Sequence, residues 1–364
     1  MKYIEEYRKT DLQKNLVKKI HKISKKLKKN IILMEVCGTH TVSIGRFGIR
    51  SLMPENIKLI SGPGCPVCVT PTSYIDKAIL LSKMKDVILA TFGDMLRVPG
   101  SFSSLEKEKA NGSKIFVFYS PYDALKLAEE NLDKIVVFLS IGFETTTPLI
   151  AETIKIAKEK NIKNFFILCG SKLIPPIMEF LSQDKEIEID GFICPGHVSV
   201  IIGANSYKFI PDKYKIPCVI SGFEPVDILF SIYLILKSLI NDRPKVINEY
   251  KRVVRDNGNI IAQQVLYSVF EPSDSEWRGI GNVKNSGLRL REEYKEFDIE
   301  EKIKINIGEV KEKKSCFCGE ILKGKKIPFD CPLFEKICNP SNPVGPCMVS
   351  FEGTCSTYYK YERR

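Results

Sequence analysis

Leu12, Leu16, Ile20, Ile23 and Leu27 recur at spacings of three and four, and lysines fill the other faces. One apolar stripe on a charged background predicts an amphipathic helix lying on a core. From residue 31 the pattern changes. Short continuous apolar runs cover 31–36, 56–60, 86–90, 114–119, 134–140, 164–168, 189–193 and 216–220. Each is strand length, each ends in a polar, Gly-rich or Pro-rich loop, and a helical stretch usually follows. The clearest such stretch is 72–84, with Thr72 as its cap. The alternation predicts an α/β fold on a mainly parallel sheet. Seven or eight such units over about 210 residues would build one barrel or two smaller domains. The expected arrangement is two similar doubly wound parallel-sheet domains, 1–120 and 121–240. A helical connector and a small Cys-rich domain then occupy 241–364. From the end of the second domain onward, 225–271 reads as largely helical, 273–295 as irregular and 297–314 as a charged connector.

The loops at the strand ends carry the candidate chemistry, as open α/β sheets require. Cys37-Gly-Thr-His40 follows the first run and Gly62-Pro-Gly-Cys65-Pro-Val-Cys68 the second. Asp94 and Arg97 follow the third; Glu144 and Thr145 follow the fifth. The expected interface sets the Cys37, Cys65 and Asp94 loops against those of Glu144 and His197.

The chain has 364 residues, 44% of them hydrophobic, which is the composition of a globular protein with ample core. Its net charge of +11 comes from lysines near the N-terminus and scattered elsewhere. No basic-aromatic module accompanies them, so no nucleic-acid partner is expected. The first residues are too charged for a signal peptide, and the longest apolar run is too short to span a bilayer. The expected location is the cytoplasm, without membrane attachment. Twelve cysteines in that compartment point to metal or redox chemistry rather than a disulfide scaffold. There is no P-loop and no Gly-x-Gly-x-x-Gly, so no nucleotide site is expected.

Three thiols and an imidazole, Cys37, Cys65, Cys68 and His40, suit iron, zinc or copper(I). The plainer reading is a buried Cys37 beside a structural Cys65–Cys68 pair. Six more cysteines, Cys316, Cys318, Cys331, Cys338, Cys347 and Cys355, fall among Pro and Gly, so the tail needs metal ligation or disulfides to hold it. An iron–sulfur cluster and a zinc knob both satisfy that, and the spacing does not choose between them. Asp94, Arg97, Glu144 and Thr145 read either as a surround for the thiols or as ordinary turn and capping residues. Cys169, Cys194 and Cys218 read as small buried residues, and His197 as a weaker candidate than His40.

Read together, the motifs Met34-Glu-Val-Cys-Gly-Thr-His-Thr41, Gly62-Pro-Gly-Cys-Pro-Val-Cys68, Thr91-Phe-Gly-Asp-Met-Leu-Arg-Val-Pro-Gly100 and Gly142-Phe-Glu-Thr-Thr-Thr-Pro148 resemble the HypD family of hydrogenase maturation proteins. The tail, with Gly345-Pro-Cys-Met-Val-Ser and Tyr358-Tyr-Lys-Tyr361, is similar too. Glu335 and Phe351 depart from the family's usual residues, but neither is a thiol. The resemblance implies assembly of the Fe(CN)2CO unit of [NiFe]-hydrogenase with a HypC-type chaperone and a HypE-type cyanide donor. It implies iron held by Cys37, Cys65 and Cys68, with His40 as a proton donor or neighbour. Asp94, Arg97, Glu144 and Thr145 would shape the pocket for the diatomic ligands. It further implies a [4Fe–4S] cluster in the tail, in surroundings like those of ferredoxin:thioredoxin reductase. By that analogy Cys316, Cys331, Cys338 and Cys355 would bind it, with Cys318 or Cys347 as alternative ligands. The expected role is a metallocentre-assembly scaffold with redox activity. The rival roles are a thiol–disulfide oxidoreductase resembling that reductase and a zinc-stabilised α/β binding protein.

Overall fold

All eight apolar runs form strands in the computed structural model, which describes residues 5–311 and 315–363. They are β1 (Ile31–Glu35), β2 (Ile57–Ser61), β3 (Val87–Thr91), β4 (Ile115–Val117), β5 (Ile135–Ser140), β6 (Phe165–Cys169), β7 (Gly191–Pro195) and β8 (Cys218–Ser221). A ninth, β9 (Val246–Asn248), lies within the stretch expected to be helical. The strands form two parallel sheets, in the orders β2-β1-β7-β8-β9 and β4-β3-β5-β6.

The sheets do not divide the chain at residue 120. The first sheet takes β1 and β2, and then β7, β8 and β9; the second is formed wholly by the strands between. The chain therefore leaves the first sheet after β2, builds the second, and returns. Strand-to-strand hydrogen bonding decides this, and β1 pairs with β7 across a long stretch of sequence. Local periodicity carries no record of such a pairing.

Successive strand residues face opposite sides. On β1, Ile31 and Leu33 join the core under helices Thr10–Ser24 and Pro225–Ile240, together with Ile20, Ile228 and Ile232. On β3, Ile88 and Ala90 join a second core with Leu125, Ile150 and Leu266. The alternate residues Met34, Ile60, Phe192 and Ile220 of one sheet and Leu89, Val137, Leu139 and Leu168 of the other share a single core. Cys194 and Cys218 belong to that shared core, and Cys169 packs at the edge of the second.

The helix expected over 72–84 forms as Thr72–Ser82, but its N-cap is Pro71 and Thr72 is already its first helical residue. An antiparallel hairpin, β10 (Phe270–Trp277) and β11 (Gly281–Leu290), begins at the end of the stretch expected to be helical and occupies most of the one expected to be irregular. Exposed polar residues and glycines fill much of both strands, so they give no apolar run to read. Trp277 anchors the hairpin: it is fully buried and its Nε1 donates to Ser286 Oγ at 2.7 Å. Among the described residues no helix is long and apolar enough to cross a membrane.

Candidate functional site

β1 lies between β2 and β7, so its carboxyl end is a topological switch point, where neighbouring connections diverge and leave a crevice. Cys37 stands there as the N-cap residue of helix Gly38–Arg46. The next strand, β2, runs into Gly62–Gly64 and then Cys65, the N-cap of the short helix Pro66–Val69. The Cys65 sulfur accepts the Cys68 amide at 3.3 Å, and the two sulfurs lie 2.7 Å apart. These two turns touch through their backbones: Gly38 N donates to Gly64 O at 3.0 Å. A Cβ at Gly64 would sit 2.1 Å from Cys37 N and 2.4 Å from its Cα. Only glycine allows that approach, and it places Cys37 beside the Cys65–Cys68 pair.

Burial sets the protonation of this site. Cys37 is pushed up to about 12 by desolvation, with nearby Glu352 and Glu35 adding to it and the His40 and Thr39 amides opposing it. It is a thiol at neutral pH, and a bound cation would have to displace its proton. Glu35, at the end of β1, accepts the Cys37 amide at 3.1 Å and the Thr41 hydroxyl. Burial raises it to about 7, against hydrogen bonds from Ser61, Thr41 and the Cys37 amide and the charge of Arg50.

His40 is fully buried, and desolvation lowers it to about 4, so the ring is neutral. Its Nε2 lies 2.9 Å from the carbonyl oxygen of Gly222, which can only accept. Nε2 therefore carries the proton and Nδ1 a lone pair. That Nδ1 is buried without a hydrogen-bond partner. Glu249 accepts the Gly222 amide at 3.3 Å from the other side. The Phe223 ring stacks between His40 and His197, at centroid distances of 4.8 and 4.1 Å. The structure thus brings both histidines to one aromatic group.

β3 is the switch point of the second sheet, between β4 and β5, and Asp94 and Arg97 follow it. Burial raises the Glu352 pKa, the Thr39 hydrogen bond opposes it, and the nearby charge of Asp94 adds to the rise. Thr39 Oγ1 donates to Glu352 at 2.7 Å, which ties Asp94 to the Cys37 loop. Arg97 donates to the carbonyl of Pro340 in the tail. Glu144 accepts the amide of Ile174 at 3.0 Å and lines a separate cavity. Thr145 is exposed.

The tail is packed against this crevice. A Cβ at Gly38 would meet Glu352 at 2.6 Å, and one at Gly45 would meet Thr357 at 2.7 Å. Cys316 and Cys318 have their sulfurs 3.4 Å apart. Interaction with Cys318 first, and then with Cys68, lowers Cys347 to about 6 against its full burial. Cys68 is pushed the other way, by burial first and then by Cys347 and Cys65. The Cys65–Cys68 and Cys316–Cys318 sulfur pairs thus lie to either side of Cys347, near enough for Cys68 and Cys318 to shift it. Cys355 is raised by burial and by the nearness of Cys318, Cys347, Cys316 and Cys338. Cys338 accepts the Val344 amide at 3.3 Å. A Cβ at Gly345 would lie 2.4 Å from the Cys318 sulfur and 2.8 Å from that of Cys316.

Among the described residues no three His, Cys, Asp or Glu side chains are arranged to hold a single metal ion. A cluster makes a different demand, because its four thiolates bind four different irons and need not converge on one point.

Sequence reasoning missed Glu35, Glu249, Glu352 and the bridging place of Cys347. Glu35 had a signal: it is a lone charge ending an apolar strand. The others are joined to the site only by tertiary contact.

The family described as "HypD: Hydrogenase formation hypA family" matches residues 11–362. A Methanocaldococcus jannaschii protein named for hydrogenase expression and formation is 48% identical over 354 residues, covering 97% of this chain and 98% of its own. The hydrogenase maturation factor HypD of Escherichia coli is 41% identical over 369 residues, covering 100% and 99%. That of Azotobacter vinelandii is 44% identical over 371 residues, covering 100% and 98%.

Two outcomes follow from the geometry. Gly64→Ala forces the two thiol turns apart, and urea denaturation should show a loss of about 1–3 kcal/mol or more; unchanged stability would refute the close approach. Glu35 binds its proton more tightly folded than unfolded. Its contribution is therefore complete below the ordinary carboxyl range and is lost as pH rises through about 7. Glu35→Gln should flatten the fall in stability between those limits, by about 3 kcal/mol at most. A pH profile of the unfolding midpoint that the substitution leaves unchanged would contradict the assignment.

Proposed function

The chain belongs to the HypD family of hydrogenase maturation factors, and from that premise we propose that it is the scaffold and redox component on which an Fe(CN)2CO unit is assembled. Its partners in this reading are a HypC-type chaperone and a HypE-type cyanide donor. Iron is the cargo. Cys37 is its main ligand on this chain, with Cys65 and Cys68 beside it. His40, neutral and with its Nδ1 lone pair free, accepts or relays a proton in that buried crevice. Asp94 and Glu352 frame its outer side.

The observation that carries this reading is the line of sulfurs from Cys65 to Cys316. Release of cyanide from a thiocyanate needs two electrons. Cys65 and Cys68 supply them: two thiols become one disulfide, the S–CN bond breaks, and the products are a free thiol on the donor and hydrogen cyanide, or cyanide and a proton. Cys347, whose thiol is shifted down by Cys318 and Cys68, then attacks the Cys68 sulfur. Cys318 resolves the mixed disulfide, returning Cys65 and Cys68 as thiols and leaving a Cys318–Cys347 disulfide.

This assigns Cys318 and Cys347 to exchange and leaves Cys316, Cys331, Cys338 and Cys355 for a [4Fe–4S] cluster. The residues present fit such a group. The four are cysteines of the tail, the Val344 amide already donates to one of them, and Gly345, having no Cβ, lets the Cys316 and Cys318 sulfurs pack directly on its backbone. When bound, the cluster supplies single electrons that restore the Cys318 and Cys347 thiols. A thiol–disulfide oxidoreductase is the second reading, because the line of sulfurs requires neither Cys37 nor His40.

Reduced protein mixed with an S-cyanylated cysteine peptide should release cyanide and acquire a Cys318–Cys347 disulfide, detectable by peptide mass spectrometry, whereas Cys347→Ser should stop at one cyanide per chain with a Cys65–Cys68 disulfide. In Cys318→Ser the Cys68–Cys347 mixed disulfide should accumulate instead. Cyanide release that survives in Cys68→Ser would refute the assignment of the electron source.

A further inference from the structure

A cavity of about 810 Å3 opens beside the start of helix Ile174–Ser182, lined among others by Glu144, Leu173, Pro175, Ile202, Tyr267 and Arg289. That volume is in the range of small-molecule sites. No cysteine is among its lining residues, so it is distinct from the thiol crevice.

Glu144 is the unusual member. It is 1% exposed. One carboxyl oxygen accepts the Ile174 amide at the helix N-terminus, 3.0 Å away. The other, Oε2, is buried without a hydrogen-bond partner. A buried carboxyl oxygen left unpaired is costly, and native proteins rarely keep one without use. Desolvation has raised this group to about 7, opposed by its own amide and that of Ile174. A donor delivered to Oε2 would satisfy it, and a cationic donor would also hold it ionised.

Two arginines also line the cavity. Arg289 is paired with Glu271 through Nε at 2.8 Å and a terminal nitrogen at 2.7 Å. Arg291 donates from Nε to the carbonyl of Tyr267 at 2.7 Å. Two guanidiniums thus stand against the one carboxylate of Glu271, leaving positive charge and free N–H groups for an anion. Leu173, Pro175, Pro176, Ile202 and Pro272 also line the cavity and supply apolar surface.

We propose that this cavity binds a small molecule with an ammonium or other N–H donor at one end, which satisfies Glu144 Oε2. An aliphatic middle lies against the leucine, isoleucine and prolines, and a carboxylate at the other end meets Arg289 and Arg291. An ω-amino acid is the simplest molecule of that class. A metal ion is a poorer fit, because the single free carboxyl oxygen offers too few donors.

Calorimetric titration of the full chain with 6-aminohexanoate, hexanoate and hexylamine tests this. 6-Aminohexanoate should bind saturably, one per chain, and each one-ended probe at least tenfold more weakly. Glu144→Gln should reduce 6-aminohexanoate to the affinity of hexanoate. Arg289→Ala, at a largely exposed side chain whose loss should leave the fold intact, should reduce it to that of hexylamine. The proposal is overturned by the absence of saturable binding of all three probes at millimolar concentration. It is equally overturned if folded Arg289→Ala or Glu144→Gln protein binds 6-aminohexanoate as the wild type does.

Discussion

Two strand-end turns meet without a side chain between them, and the site is built outward from that contact. Gly64 lies against the backbone of Cys37, closer than any Cβ would allow. The contact is possible because β1 and β2 are adjacent, parallel and in register from Ile31 with Ile57 to Glu35 with Ser61. Their ends therefore arrive level with one another. The prolines Pro63 and Pro66 on either side of Gly64 limit what else the second turn can do. Three thiols on two loops are thereby placed by backbone geometry, which costs less flexibility than three independently packed side chains would.

The same economy joins the tail to the sheet. Gly38, Gly45, Gly345 and Gly353 each stand where a Cβ would collide with another residue of the assembly. A Cβ at Gly353 would lie 2.2 Å from the Cys347 carbonyl. Gly38 and Gly45 let the cysteine-rich segment approach the first sheet, and Gly345 and Gly353 let that segment pack closely on its own cysteines. Electrostatics follows from the resulting burial. The interior raises Cys37, Cys68 and Cys355 and lowers His40, while Cys347 alone of these thiols is shifted down, because its neighbours donate to it.

The sequence was most readable where one residue type has one physical use. Continuous apolar runs marked β1 to β8, and the loops after β1 and β2 bring the candidate thiols together, because strand ends of parallel sheets are where loops converge. The Gly-Pro-Gly approach to Cys65 announced a constrained turn. Pairing over distance was not readable. Nothing local in residues 31–36 says that they lie beside 191–195, so the division at 120 followed chain order and missed the return of β7, β8 and β9 to the first sheet. The hairpin of Phe270–Trp277 and Gly281–Leu290 was hidden for the opposite reason: its residues are too polar and too rich in glycine to form a run. Within the site, Cys347 looked like a spare thiol because its importance lies in two partners far away in sequence. Glu144 stood in a motif beside the candidate site, yet it lines a different cavity.

The central claim is that Cys37 and the Cys65–Cys68 turn hold iron that carries cyanide and carbon monoxide. Infrared spectroscopy of the protein, produced with its maturation partners and purified without oxygen, tests it most directly, since metal-bound cyanide and carbon monoxide absorb where protein does not. The account predicts such bands in the native protein and their loss in Cys37→Ala, with the tail's iron and sulfide retained. Bands of full strength in Cys37→Ala, or none in a native protein that carries iron and sulfide, would contradict it.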